Sequence, residues 1–175
     1  LGDLRDGGEG NHSKNRSQII ADAHARGVEV LLCIGGVGSG AIEWYNITAD
    51  SALTQTVVDA MSTYALTWGY DGLDLDWESD LSRERFMLLS RILRRKLDSW
   101  PRRGTLTAAI GREWNAAQDV QTLNTLYDYV NIMTYDGNAY WSCTSGFHEP
   151  LYDPRPNWPG YCWDGGVVNI DYASN

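Results

Sequence analysis

Residues 71–78 read Asp-Gly-Leu-Asp-Leu-Asp-Trp-Glu, and three of their carboxyls, Asp74, Asp76 and Glu78, fall at alternate positions. Alternate residues of an extended strand share a face, so these three acids point one way and Leu73, Leu75 and Trp77 the other. Consecutive carboxyl positions then stand roughly 6.6 Å apart. Grouping three like charges costs several kcal/mol in desolvation and repulsion, which no fold accepts for stability alone. Such neighbours cannot all ionise cheaply, so the cluster titrates as a coupled unit with at least one raised pKa. General acid catalysis near neutral pH requires a carboxyl of that kind. Asp71 has the parity of Leu73, so it faces away from the cluster and supports the start of the strand.

Two other readings of the segment fare worse. A calcium loop wants glycine after the third acidic ligand and a carboxylate at position twelve, where this chain has Ser79 and Arg85. A merely solvated acidic face disagrees with the apolar Leu73, Leu75 and Trp77 and the preceding Gly69-Tyr70, which read as a buried strand. The glycines at 35, 36, 38 and 40 raise the question of a phosphate loop. They lack both a Gly-Lys-Ser/Thr ending and Gly-x-Gly-x-x-Gly spacing, and close backbone packing at a strand end accounts better for the pair.

The elements around the octet alternate. Residues 16–26 predict a helix, with Ile19, Ile20 and Ala23 on one side and Gly27 as its stop. Val28 to Ile34 is a continuous apolar run of the kind buried in a parallel sheet. Asp50 caps a helix that runs to about Trp68 and closes at Gly69. After the acidic strand, Ser82 starts a helix through roughly Ser99, with Phe86, Leu89, Leu93 and Leu97 at helical spacing and Pro101 beyond it. Leu106 to Ile110 is a strand, a short helix falls near 117–126, and Tyr129 to Thr134 is the last clear strand. Strands separated by helices indicate parallel βαβ units in an α/β fold. A long loop rich in Trp, Tyr, Pro and Gly follows from Asp136 to about Val168, and loops of that length are usually functional.

At 175 residues the chain is long enough for one ordinary domain, and 14 Lys and Arg against 23 Asp and Glu give a net charge of −9. That balance disfavours nucleic acid and anionic membranes and suits a neutral substrate. No apolar run approaches the roughly 20 residues of a membrane span, and no signal-peptide pattern opens the sequence. The chain starts at Leu1 rather than Met, which leaves room for an upstream signal. Aromatic usage is skewed to 8 Trp and 10 Tyr against 2 Phe, a bias suited to stacking on sugar rings. Cys33 reads as a buried thiol in an apolar strand, and Cys143 and Cys162, both within the long loop, could form a disulfide.

Three blocks of this sequence resemble the glycoside hydrolase family 18 chitinases. Asp71-x-x-Asp74-x-Asp76-x-Glu78 resembles the family's acidic signature. Leu31-Leu32-Cys33-Ile34-Gly35-Gly36 resembles its Ser-x-Gly-Gly segment on the third strand, with Cys33 in place of the usual Ser. Tyr129-Val130-Asn131-Ile132-Met133-Thr134-Tyr135-Asp136 resembles its Met-x-Tyr-Asp block on the sixth, and Leu106-Thr107-Ala108-Ala109-Ile110 fits the fifth between them. The implied fold is a (β/α)8 TIM barrel, which typically takes about 250 residues. The chain then supplies about strands 3 to 6, so residues 1–175 are expected to be a fragment of a single catalytic domain, with 136–168 the loop after strand six.

The resemblance also implies a chemistry. Family 18 is an exception to the two-carboxylate scheme of most retaining glycosidases, because the substrate's 2-acetamido oxygen attacks the anomeric carbon. Glu78 would protonate the leaving oxygen, Asp76 would orient the acetamido group, and Asp74 would share a proton with Asp76. Tyr135 would donate its hydroxyl to the acetamido oxygen, and Asp136 would bind substrate or tune Glu78. Trp114 and Trp141 follow strand ends, where they would stack on sugar or pack in the core, and Met133 packs beneath the substrate. Chitin or N-acetylglucosamine oligomers are the implied partner, with no cofactor, no metal, no nucleic acid and no membrane, and with a secreted monomer as the full-length form. An endo-β-N-acetylglucosaminidase, a peptidoglycan hydrolase and a non-catalytic chitin-binding lectin are the alternatives on the same fold.

Overall fold

A computed structural model of the chain describes residues 16–36, 39–78, 81–111 and 119–136. In chain order the elements are α1 (Arg16–His24), β1 (Leu31–Gly36), α2 (Ser39–Ile47), α3 (Ser51–Trp68), β2 (Gly72–Trp77), α4 (Arg83–Asp98), β3 (Thr105–Gly111), α5 (Val120–Leu126) and β4 (Tyr129–Met133). The strands hydrogen-bond in the order β1-β2-β3-β4, and β1 runs parallel to β2. The chain divides into a unit of residues Leu1–Thr107, which holds the acidic strand, and a unit of residues Ala108–Asn175, which holds α5 and β4. Among the described residues no helix is long and apolar enough to cross a membrane.

The core of the first unit follows from periodicity. On β2, Leu73 and Leu75 are fully buried and Trp77 nearly so, whereas Asp74 and Asp76 between them are half-buried. Helix α4 presents Phe86, Leu89, Leu93 and Leu97, all fully buried, at the spacing of one helical stripe. Trp77 lies with its ring centroid 6.4 Å from both Trp44 of α2 and Phe86 of α4. Two buried polar groups are satisfied locally. Arg94 donates to the Gly104 carbonyl at 2.7 Å and to Asp98 at 2.9 Å, and the Trp100 indole donates to Ser62 Oγ at 2.7 Å.

Helix α3 is bounded as its sequence predicts. The Asp50 side chain accepts from the amides of Ala52 and Leu53 at 2.8 and 3.1 Å, and Gly69 ends the helix at φ 82°. Beyond it Asp71 gathers the starts of several elements. Its carboxylate accepts from the Val30 amide and His24 Nε2, both at 2.8 Å, and from Arg102 at 3.0 Å. Arg102 also reaches Glu29, which accepts from the Thr105 hydroxyl. These partners draw the Asp71 pKa below the usual carboxylate range against the opposing effect of burial, which is the largest single influence.

Three expectations need correction. The apolar run from Val28 becomes a strand only at Leu31. The Val28 amide bonds back to the Ala23 carbonyl at 3.0 Å, so the run's first residues close α1, and Val28 is exposed. Only Ile34 of β1 is buried, so the strand is not covered on both faces. Cys33 is exposed rather than a buried thiol, because it lies on the face that carries the acids of β2 and not on the helix-packed face of Ile34. The pairing of Cys143 with Cys162 and the 136–168 loop fall, apart from Asp136, outside the described residues.

Candidate active site

The site is built on one face of β2 and its two neighbours. The register sets Cys33 level with Asp74 and Gly35 level with Asp76. Gly35 has a positive φ of 122°, and a Cβ there would collide with the Asp76 carbonyl, so only glycine lets β1 approach the acidic strand this closely. Gly72 plays the same part toward β3, where a Cβ would strike the backbone of Thr105. Glu78 follows immediately after the end of β2, half-buried, one position past Trp77.

Each carboxyl has distinct surroundings. Asp74 accepts a hydrogen bond from the Thr107 hydroxyl on β3 and another from the Cys33 thiol on β1. Asp76 is hydrogen-bonded to Glu78 and feels the charge of Asp74. Burial, then the charges of Glu78 and Asp74, then the hydrogen bond with Glu78, push Asp76 up to about 6. Its Oδ1 atom is the only buried side-chain oxygen or nitrogen without a partner among the described residues. Cys33 is exposed in area yet has enough protein around it for burial to lead the causes that hold its thiol at about 12, ahead of the Asp74 hydrogen bond and the three acids' charges. It is a neutral donor at any physiological pH, not a thiolate.

Thr107 is the residue that sequence reasoning missed. It is buried and touches Asp74 directly. Its signal was present: a hydroxyl interrupting the apolar Leu106–Ile110 run at a position of fixed parity.

The remaining residues singled out in the sequence lie in the second unit. Met133 ends β4 half-buried, within 3.6 Å of where a Cβ on Gly111 would stand. Tyr135 and Asp136 follow β4 and are exposed, and Asp136 takes a left-handed backbone with φ 62°. Aspartate tolerates that conformation better than most side chains. Trp114 and Trp141 lie outside the described residues.

Residues 4–174 match the sequence profile described as Glycosyl hydrolases family 18. The chain belongs to that family. A relative, Probable chitinase 2 of Drosophila melanogaster, is 31% identical over 157 residues, covering 84% of this chain and 31% of its own length. Probable endochitinase of Caenorhabditis elegans is 28% identical over 158 residues, covering 83% and 25%. This family 18 chain therefore spans about a third or less of the length of these two curated relatives. Among solved structures, Ostrinia furnacalis Group IV chitinase aligns with a TM-score of 0.74 at 24% identity, covering 91% of this chain and 45% of that one. The family 18 chitinase of Cycas revoluta, solved with (GlcNAc)3, aligns with a TM-score of 0.70 at 25% identity, covering 79% and 46%. The shared fold is the (β/α)8 barrel, of which the described strands and helices form a part.

Proposed function

We propose that the chain is part of a catalytic domain that hydrolyses β-1,4 bonds in chitin or N-acetylglucosamine oligomers with retention of configuration. The observation that carries this reading is the Asp76–Glu78 pair. One hydrogen bond joins the two acids, the partner acid's charge helps hold Asp76 up at about 6, and the buried Oδ1 of Asp76 is left without a partner. A raised Asp76 carboxyl hydrogen-bonded to Glu78 supports reading Glu78 as an acid that must deliver a proton.

In the proposed reaction the Glu78 proton passes to the glycosidic oxygen as the bond from that oxygen to the anomeric carbon breaks. The substrate's acetamido oxygen forms a bond to the same carbon, giving a cyclic oxazolinium and leaving the configuration to be restored by water. Asp76 turns its free oxygen to the acetamido N–H, and its charge offsets the positive ring that forms. Glu78, now ionised, takes a proton from the water that opens the ring. Roles for Tyr135 as donor to the acetamido oxygen and for Asp136 on the substrate rest on the family resemblance. A secreted protein accords with an insoluble polymer as substrate.

Glu78→Gln in the complete catalytic domain tests the reading. Hydrolysis of chitooligosaccharides should fall by at least about 10²- to 10⁴-fold, the usual worth of a positioned general acid. Undiminished cleavage would remove Glu78 from that role. Binding of the oligomers without turnover by the unmutated domain would favour the lectin alternative.

A further inference from the structure

The proposed chemistry asks Glu78 to deliver a proton in one direction, yet Glu78 stands past Gly36 and Trp77, the last paired residues of β1 and β2. What holds it must come from beside the sheet, and α2 makes two contacts there. Trp44, 6% exposed, packs its ring 6.4 Å from that of Trp77, the residue just before Glu78. Tyr45, the next residue of α2, holds the chain beyond Glu78. Arg85, in the first turn of α4, lays its guanidinium 3.9 Å from the Tyr45 ring centroid. The same guanidinium donates from Nη1 to the Tyr45 carbonyl at 2.6 Å. Two consecutive residues of one helix thus grip the chain before and after Glu78.

We propose that Tyr45 and Arg85 form a clasp that positions Glu78 for proton transfer. With Trp44 packed on Trp77, the clasp fixes both ends of the segment that carries the acid. A charge-assisted hydrogen bond and a cation stacked on a ring act together on one guanidinium, so the contact is directional as well as attractive. Catalysis is sensitive to such restraint, since a displacement of about 1 Å can cost about 10²-fold in rate. Trp44 belongs to the buried core, and its loss would disturb the fold at large. Tyr45 is 44% exposed and Arg85 half-buried, so both can be changed without opening the core. The inference rests on the reading of Glu78 as the acid.

The test uses the complete catalytic domain and two substrates. Chitooligosaccharides need a proton on the leaving oxygen; a dinitrophenyl chitooligoside, whose leaving group departs as a stable anion, does not. Arg85→Met keeps an unbranched side chain and removes both contacts with Tyr45. It should lower kcat for chitooligosaccharides about tenfold with KM held within about twofold, and leave kcat for the dinitrophenyl substrate within about twofold of the parent. Tyr45→Ala removes the ring but keeps the carbonyl. It should produce part of the same selective loss, and it decides the matter if Arg85→Met does not fold. Tyr45→Phe, which keeps both ring and carbonyl, should retain the parent's rates. Hydrogen exchange of the peptide that carries Glu78 should quicken in Arg85→Met and in Tyr45→Ala.

Equal slowing of both substrates, as a general loosening of the fold would produce, or slowing of neither would overturn the proposal. So would unchanged hydrogen exchange around Glu78. Exchange needs no turnover, so it reports on the clasp independently of the acid. If exchange quickens in Arg85→Met while Glu78→Gln leaves chitooligosaccharide cleavage undiminished, the acid assignment fails and the clasp stands.

Discussion

Replacing Asp76 with asparagine should stabilise the protein at neutral pH and leave it unchanged in acid. The Asp76 carboxyl is raised from 3.8 to about 6, by burial first, then by the charges of Glu78 and Asp74 and the hydrogen bond to Glu78. A carboxyl raised in the folded state binds its proton more tightly there than in the unfolded chain. Its contribution to stability is therefore complete below about pH 3.8 and is lost as pH climbs through about 6. At about 1.36 kcal/mol per pH unit the rise corresponds to about 3 kcal/mol. Asp76 is only half-buried, and solvent screening brings this to about 1.5 kcal/mol. Asp76→Asn keeps the shape and cannot ionise, so at about pH 7.5 it should melt about 3–5 °C higher than the parent. At about pH 4 the two should melt together. The assay is thermal unfolding followed by circular dichroism at constant ionic strength in both buffers. A lower melting temperature for Asp76→Asn at about pH 7.5, or the same difference at both pH values, refutes the reasoning. The variant should also lose hydrolysis, so the acid is kept at the expense of the fold.

Two further substitutions examine how the site is supported. Gly35→Ala should destabilise by about 3 kcal/mol or more, since it adds both a clash with the Asp76 carbonyl and a positive-φ strain, as read from urea unfolding. Ser62→Ala should cost about 1–3 kcal/mol by leaving the buried Trp100 indole without its acceptor. Trp100→Phe on top of Ser62→Ala should then cost less than the two single changes combined, which a double-mutant cycle measures.

Some elements were legible because they are written in one contiguous stretch. Helix α3 announces itself through Asp50 and Gly69, and α4 through a four-residue apolar stripe; the alternation of Asp74, Asp76 and Glu78 needs only the pleat of a strand. Helix α2 was not legible. Its glycines were weighed only as a phosphate loop, and the burial of Trp44 depends on Trp77, a partner 33 positions away in sequence. Thr107 was hidden for a related reason. That it meets Asp74 depends on how β2 and β3 are set against each other, which neither segment states alone.

The cluster around Asp71 has a consequence for how the acidic strand finds its place. The Asp71 amide donates to the Val30 carbonyl at 2.9 Å, its carboxylate receives the Val30 amide, and its carbonyl receives the Thr105 amide at 3.0 Å. A strand that slipped by one residue would turn Leu73 and Leu75 outward and drive Asp74 and Asp76 into the layer packed by α4. Asp71 works as an index mark against that slip. The octet's first acid sets the frame in which its other three are read.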